Sequence, residues 1–145
     1  MPNRIQRRRV RGWVTPLDAQ GRKPVYVGRP TRWGNPFVIG KLVVEPGWWN
    51  RPACPYSGVL PPGTYTSRDI AGEPYEYAIR PVRDRADATD LFRAYVEFHD
   101  DGWDPELIRR DLGGRDLACW CRPPEPGEPD HCHAAVLIEL SNRAA

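Results

Sequence analysis

Apolar positions in this chain fall in short runs broken by proline, glycine and charge, and helical periodicity belongs to its second half. Leu91, Tyr95 and Phe98 recur at helical spacing with Phe92 and Val96 beside them, which predicts a helix over residues 87–101 capped by Asp87 or Thr89. Residues 105–112 predict a second, short helix. Asp104 is its cap, Pro105 suits its first position, and Gly113-Gly114 stops it. Residues 131–143 predict a third, with Val136, Leu137 and Leu140 on its apolar face and Asp130 as cap. Val25-Tyr26-Val27, between Pro24 and Gly28, reads as a buried strand, and residues 116–121 read as another. Val38-Ile39 and Leu42-Val43-Val44 form a short strand pair around Gly40, and residues 75–79 are a candidate strand.

Two stretches resist this pattern. Residues 1–12 form a basic arm, with five arginines between Arg4 and Arg11. Residues 41–81 form an irregular lobe. Seven prolines fall between positions 45 and 81, together with Trp48, Trp49, Tyr56, Tyr65, Tyr75 and Tyr77. That aromatic density implies an ordered excursion with hairpin character, since a disordered linker is aromatic-poor. The element order predicts one domain over residues 1–145: a small three-layer α/β fold with a mainly parallel sheet and an aromatic, proline-rich excursion. In such sheets ligands bind beyond the carboxyl ends of the strands. The loop 28–37 and the segment around Cys119 each follow a strand, so they share one crevice if those strands are parallel neighbours.

Composition narrows the class. With 145 residues, 40% hydrophobic and 28% charged, the chain can bury one core. It has no run near the roughly 20 apolar residues of a membrane span. Its basic start lacks an apolar leader segment, so a cytoplasmic protein without membrane contact is expected. In that compartment cysteines serve as metal ligands or reactive thiols more often than as disulfides. Net charge is only +2, but Lys23 and Lys41 are the only lysines among 21 basic residues. Arginine is favoured for bidentate phosphate contact, although a GC-rich genome also writes it.

Chemistry concentrates near the C-terminus. Cys119 and Cys121 stand two apart, so on a strand they share a face and Trp120 takes the other. Cys132 and His133 follow at the start of the last helix, where the dipole favours a thiolate. Three readings stand side by side. Cys119, Cys121, Cys132 and His133 make a Cys3His set for zinc, with His131 as a substitute ligand, though the spacing is unusual. Alternatively, Cys132 or Cys121 is a nucleophile served by His133 or His131. Or the cysteines are ordinary core residues. Cys54 is isolated in the lobe.

The loop after the first strand gathers Arg29, Arg32, Trp33 and Asn35. Arginine can bind phosphate, tryptophan can stack on a base and asparagine can bond a base edge. The same residues can equally anchor a loop, and the glycines match neither standard phosphate-loop motif.

Two long signatures carry a family resemblance. Arg4-Ile5-Gln6-Arg7-Arg8-Arg9, Gly12-Trp13 and the run from Val25 to Phe37 form the first; Asp116-Leu117-Ala118-Cys119-Trp120-Cys121 with Cys132-His133-Ala134 and Val136-Leu137 forms the second. Together they resemble an uncharacterised domain family of actinobacteria and their tailed phages, catalogued as a domain of unknown function. The resemblance covers both ends and the helix between them, but not residues 41–80. It implies a bacterial or phage protein of the cytoplasm (the host's, if phage-encoded), and makes the basic arm part of the family pattern. The family usually has Asp two residues after the Cys-His pair; here that position is Ala135. The strand-Cys…Cys-His-helix portion alone is similar to another uncharacterised α/β family thought to act on nucleic acid or nucleotides.

The leading expectation is a phage-type domain that binds nucleic acid or a nucleotide. Arg29, Arg32, Trp33 and Asn35 would form its surface, with phosphate contacts from Arg7, Arg8 and Arg9 and a structural or zinc-binding Cys/His cluster. Two alternatives stand beside it. One is an enzyme on a nucleotide or modified base using Cys132, His133 or Cys121. The other is a host-takeover protein that grips a bacterial protein through residues 48–77.

Overall fold

Leu117-Ala118-Cys119, buried at every position, is the strand around which one half of the molecule is built. The computed structural model describes residues 2–98 and 103–143. In chain order the elements are β1 (Arg4–Gln6), β2 (Val25–Tyr26), β3 (Leu42–Glu45), a 3-10 turn (Trp48–Asn50), β4 (Cys54–Pro55), β5 (Gly63–Arg68), β6 (Pro74–Pro81), α1 (Arg85–Glu97), α2 (Pro105–Leu112), β7 (Leu117–Cys119) and α3 (His133–Ser141). The chain divides into two compact units, residues 1–35 with 99–145, and residues 36–98. Each has its own sheet. No helix of the described residues is long and apolar enough to cross a membrane.

The first unit carries a three-stranded parallel sheet in the order β1-β7-β2. Arg4 pairs with Leu117 and Gln6 with Cys119 on one side of β7, and Val25 pairs with Leu117 on the other. β1 carries no strand signal, because Arg4-Ile5-Gln6 is three residues long with a single apolar one. Backbone pairing decides it. Leu117 N–H donates to the Asn3 carbonyl at 3.1 Å and Arg7 N–H to the Cys119 carbonyl at 2.7 Å. The Asp116 carboxylate takes the Asn3 N–H at 2.8 Å. α3 is apolar almost all round, as a fully buried helix should be. α2 packs on α3 through Ile108 and Leu112, one helical turn apart. Asp104 caps α2 as expected, accepting from the N–H groups of Glu106 and Leu107.

The second unit corrects the expectation of one mainly parallel sheet with an irregular excursion. Its four strands are antiparallel, in the order β4-β3-β6-β5. Antiparallel neighbours need only short connections, so this stretch builds a sheet without crossover helices. β5 carries no strand signal because Gly-Thr-Tyr-Thr-Ser-Arg is polar on both faces and almost wholly exposed. The prolines sit where strands tolerate them, Pro74 and Pro81 at the ends of β6 and Pro55 on the edge strand β4. Val38-Ile39 is not a strand; Lys41 N–H closes a turn on the Val38 carbonyl at 2.9 Å, with Gly40 at φ 84°. β3 is buried on both faces. Val43 packs with Phe37, Val82 and Leu91, while Val44 packs with Ile79 against Tyr65 and Tyr77.

α1 begins earlier than expected, at Arg85, because Asp84 is the cap and accepts the Asp87 N–H at 2.8 Å. Its described end is Glu97, and the expected continuation over residues 99–101 lies outside the described residues. Arg80 ties sheet to helix in this unit, bonding Glu45 at 2.8 Å and Asp87 at 2.7 Å. The Arg80 hydrogen bonds hold the Asp87 carboxyl below its usual range.

Candidate functional site

Because β1, β7 and β2 run parallel, their carboxyl ends open on one edge of the first unit's sheet, where sites of such sheets are built. Three segments leave from that edge: the arm from Arg7, the segment Trp120-Cys121, and the loop from Val27. The expected neighbourhood of β2 and β7 is therefore present.

The first feature of that edge is sulfur. Cys119 ends β7, Cys121 follows it, and Cys132 is the N-cap of α3. Their three Sγ atoms lie within 4.8 Å of one another, and Cys119 and Cys132 are 3.2 Å apart. All four cysteines of the chain are free thiols. Zinc–sulfur bonds of about 2.3 Å at tetrahedral angles need sulfurs about 3.8 Å apart, so the three can share one ion with small side-chain adjustments. Their surroundings do not favour bare thiolates. Cys119 and Cys121, then burial, push the Cys132 thiol well above the ordinary cysteine range. Cys119 is raised as well, through Cys121 first, with Cys132 opposing. Binding of a cation by the three sulfurs would release their thiol protons. Cys132 is 2% exposed, so the helix-dipole argument for a reactive thiolate meets burial and like neighbours that outweigh it. Cys54 lies in the second unit, apart from this group.

His133, expected as the fourth ligand, follows Cys132 directly but lies outside the group whose ligand atoms are all within 4.8 Å of one another. Its Nε2–H donates to the Val27 carbonyl at 2.7 Å, tying α3 to the end of β2. Burial holds its imidazole below the usual range, hence neutral. His131 is exposed and also outside the cluster. No local pattern in the sequence marks the role of Arg4. Its guanidinium forms a bidentate pair with Asp130 and bonds the Cys121 carbonyl at 2.9 Å, the Arg122 carbonyl at 3.1 Å and Cys119 Sγ at 3.5 Å. Burial opposes its charge, but Asp130 and the neighbouring sulfurs raise its pKa further above the usual arginine value. Asp130 thus anchors Arg4 instead of capping α3.

The loop after β2 is a packed turn. Thr31 bonds the Gly28 carbonyl through its N–H at 3.0 Å and its hydroxyl at 2.6 Å, and Gly34 N–H reaches the Thr31 carbonyl at 3.0 Å. Trp33 is 6% exposed and meets Trp103 edge-on, ring centroids 5.8 Å apart. Asn35 is buried, and its carbonyl accepts from Arg29 Nε at 2.8 Å. Arg32 lies over the Trp33 ring at 4.6 Å. Of the four residues expected to bind a ligand here, Trp33 and Asn35 belong to the interior, while Arg29 and Arg32 remain at the surface.

The aromatic partner of the arm is Trp120, which the sequence reading placed only as the residue facing away from the cysteines. It is 39% exposed. The Arg7 guanidinium lies 4.6 Å from the Tyr26 ring and 5.0 Å from the Trp120 ring, and Arg9 lies 4.7 Å from Trp120. Trp120 Nε1–H donates to the Tyr26 hydroxyl at 3.0 Å, and that hydroxyl donates to the Arg29 carbonyl at 2.8 Å. The Tyr26 ring folds back against Gly28, where a Cβ would displace it. Gln6, Arg7, Arg8, Arg9, Val10 and Trp120 line a hollow of about 450 Å³. Among the described residues, Arg7, Arg8 and Arg9 pair with no carboxylate.

No curated protein and no solved structure matches the chain. A family model described as "Domain of unknown function (DUF4326)" matches residues 5–143, and the chain belongs to that family.

Proposed function

We propose that this chain is a zinc-stapled domain that binds nucleic acid, or a nucleotide, through the phosphates. The observation that carries the reading is the pair of guanidiniums, Arg7 and Arg9, stacked on the exposed Trp120 ring beside Arg8. Stacking on an aromatic face restrains a guanidinium while leaving its N–H edge available for bidentate contact with phosphate. Arginines close together in sequence along one arm suit a chain of phosphates better than a single one. Zinc is the ion that best fits a cluster of thiols, and it would tie the end of β7 to α3, next to Trp120. Four unbridged cysteines fit the reducing cytoplasm, the host's if a phage supplies the protein.

The test is fluorescence anisotropy of labelled single-stranded and duplex oligonucleotides with the intact chain, with a mononucleotide as competitor. Saturable binding of at least one is expected; no anisotropy change with any of them would reject the reading. A second reading, capture of a host protein, rests on the other unit. There Trp48, Trp49 and Ile70 are exposed around a hollow of about 660 Å³, with Trp49 and Asn50 held at φ 57° and 62°. A pull-down that loses its partner on Trp49→Ala would favour it. Use of Cys132 as a nucleophile draws no support from so buried a thiol.

A further inference from the structure

Four consecutive carbonyls, those of Cys119, Trp120, Cys121 and Arg122, accept hydrogen bonds from residues 4–7. The Arg7 N–H donates to the Cys119 carbonyl at 2.7 Å, and Gln6 Nε2 donates to the Trp120 carbonyl at 3.5 Å. Arg4 donates to the Cys121 carbonyl at 2.9 Å and to the Arg122 carbonyl at 3.1 Å. The Trp120 ring then carries the guanidiniums of Arg7 and Arg9. The course of the arm and the place of its cations therefore follow the backbone of residues 119–122.

Sulfur holds the same segment from its other side. Cys119 and Cys121 flank Trp120, and their Sγ atoms lie within 4.8 Å of that of Cys132 at the start of α3. β7 ends at Cys119, so Trp120 and Cys121 lie beyond the paired strand. A thiol is only a weak hydrogen-bond donor and acceptor, whereas a zinc–thiolate bond fixes both distance and direction. What the three sulfurs bind thus decides how firmly Trp120 is presented to the arm.

We infer that an ion held by Cys119, Cys121 and Cys132 governs the arginine site. Loaded, the cluster sets Trp120 to hold Arg7 and Arg9 where they meet phosphate; stripped, it lets them go. The regulator is a thiophilic divalent cation, zinc, and what it regulates is affinity for phosphate. This deepens the reading above and rests on both of its parts, the zinc and the phosphate contact.

The test uses the full chain and the Arg7→Ala, Arg9→Ala double variant, each zinc-loaded and after dialysis against a chelator. Elemental analysis counts the zinc, and circular dichroism checks the fold. Anisotropy of one labelled oligonucleotide gives affinity between about 50 and 200 mM salt. In the unmodified chain, stripping is expected to weaken binding and to lower its salt slope by about 2, and added zinc to restore both. In the double variant, stripping is expected to change neither. Equal affinity and slope in the loaded and stripped chain would overturn the coupling alone and leave the zinc and phosphate readings in place. An equal loss in both proteins, or unfolding on stripping, would make the ion a requirement of the fold and overturn the coupling as well. A protein that takes up no zinc would overturn the zinc reading with it, and a loaded chain that binds no oligonucleotide would overturn the phosphate reading with it.

Discussion

Two stretches of the first unit share the same ingredients and use them in opposite ways. Around Trp33, arginine and tryptophan build a turn: the indole is buried against Trp103, and Arg29 spends a donor on the Asn35 carbonyl. Around Trp120 the indole stays at the surface and holds Arg7 and Arg9 in place. The difference comes from position in the sheet. Trp120 follows the buried strand β7 between two cysteines, so the alternation that sends Cys119 inward sends Trp120 outward. Trp33 sits in a turn, where no alternation applies and burial of a large ring decides its direction. Arginine beside tryptophan is therefore no evidence of a ligand site until the backbone says which way the indole faces.

Substitutions can break this contrast. Trp33→Ala has the largest expected effect, a loss of about 3–5 kcal/mol in unfolding free energy, as for a large aromatic removed from a core. Denaturant titration measures it, and a loss below about 1 kcal/mol would show that Trp33 does not anchor its loop. Next comes Arg4→Ala. Its side chain is 6% exposed and its loss leaves Asp130 unpaired, at an expected cost of about 3 kcal/mol in the same titration. An unchanged midpoint would make Arg4 a surface residue like the rest of the arm. Trp120→Ala is expected to change stability by less than about 1 kcal/mol but to weaken oligonucleotide binding about tenfold, the loss of a restraining ring. Equal affinity in that variant would detach the aromatic from the function. Smallest are Arg7→Ala and Arg9→Ala singly, each lowering the salt slope of binding by about 1 without altering the unfolding midpoint.

What the sequence made legible follows from side-chain pattern. α2 was placed at its observed bounds because Asp104, Pro105 and Gly113 punctuate it, and β2 and β7 were found as short apolar runs. The proximity of Cys119, Cys121 and Cys132 was anticipated from a strand end meeting a helix start. Features set by the backbone were hidden. β1 pairs through N–H and C=O groups that its side chains do not announce, and β5 shows polar residues on both faces. The roles of Arg4 and His133 were hidden for a related reason. Arg4 is fixed by the Asp130 carboxylate and the Cys121 carbonyl, and His133 bonds the Val27 carbonyl, each more than a hundred residues away, and no local motif encodes such an acceptor.

The most direct test of the central claim is the salt dependence of oligonucleotide affinity for the unmodified chain beside the Arg7→Ala, Arg9→Ala double variant, between about 50 and 200 mM salt. If the stacked arginines meet phosphate, affinity falls steeply with salt in the unmodified chain, and the double variant binds more weakly with a slope lower by about 2. Identical slopes and affinities in the two proteins would contradict it.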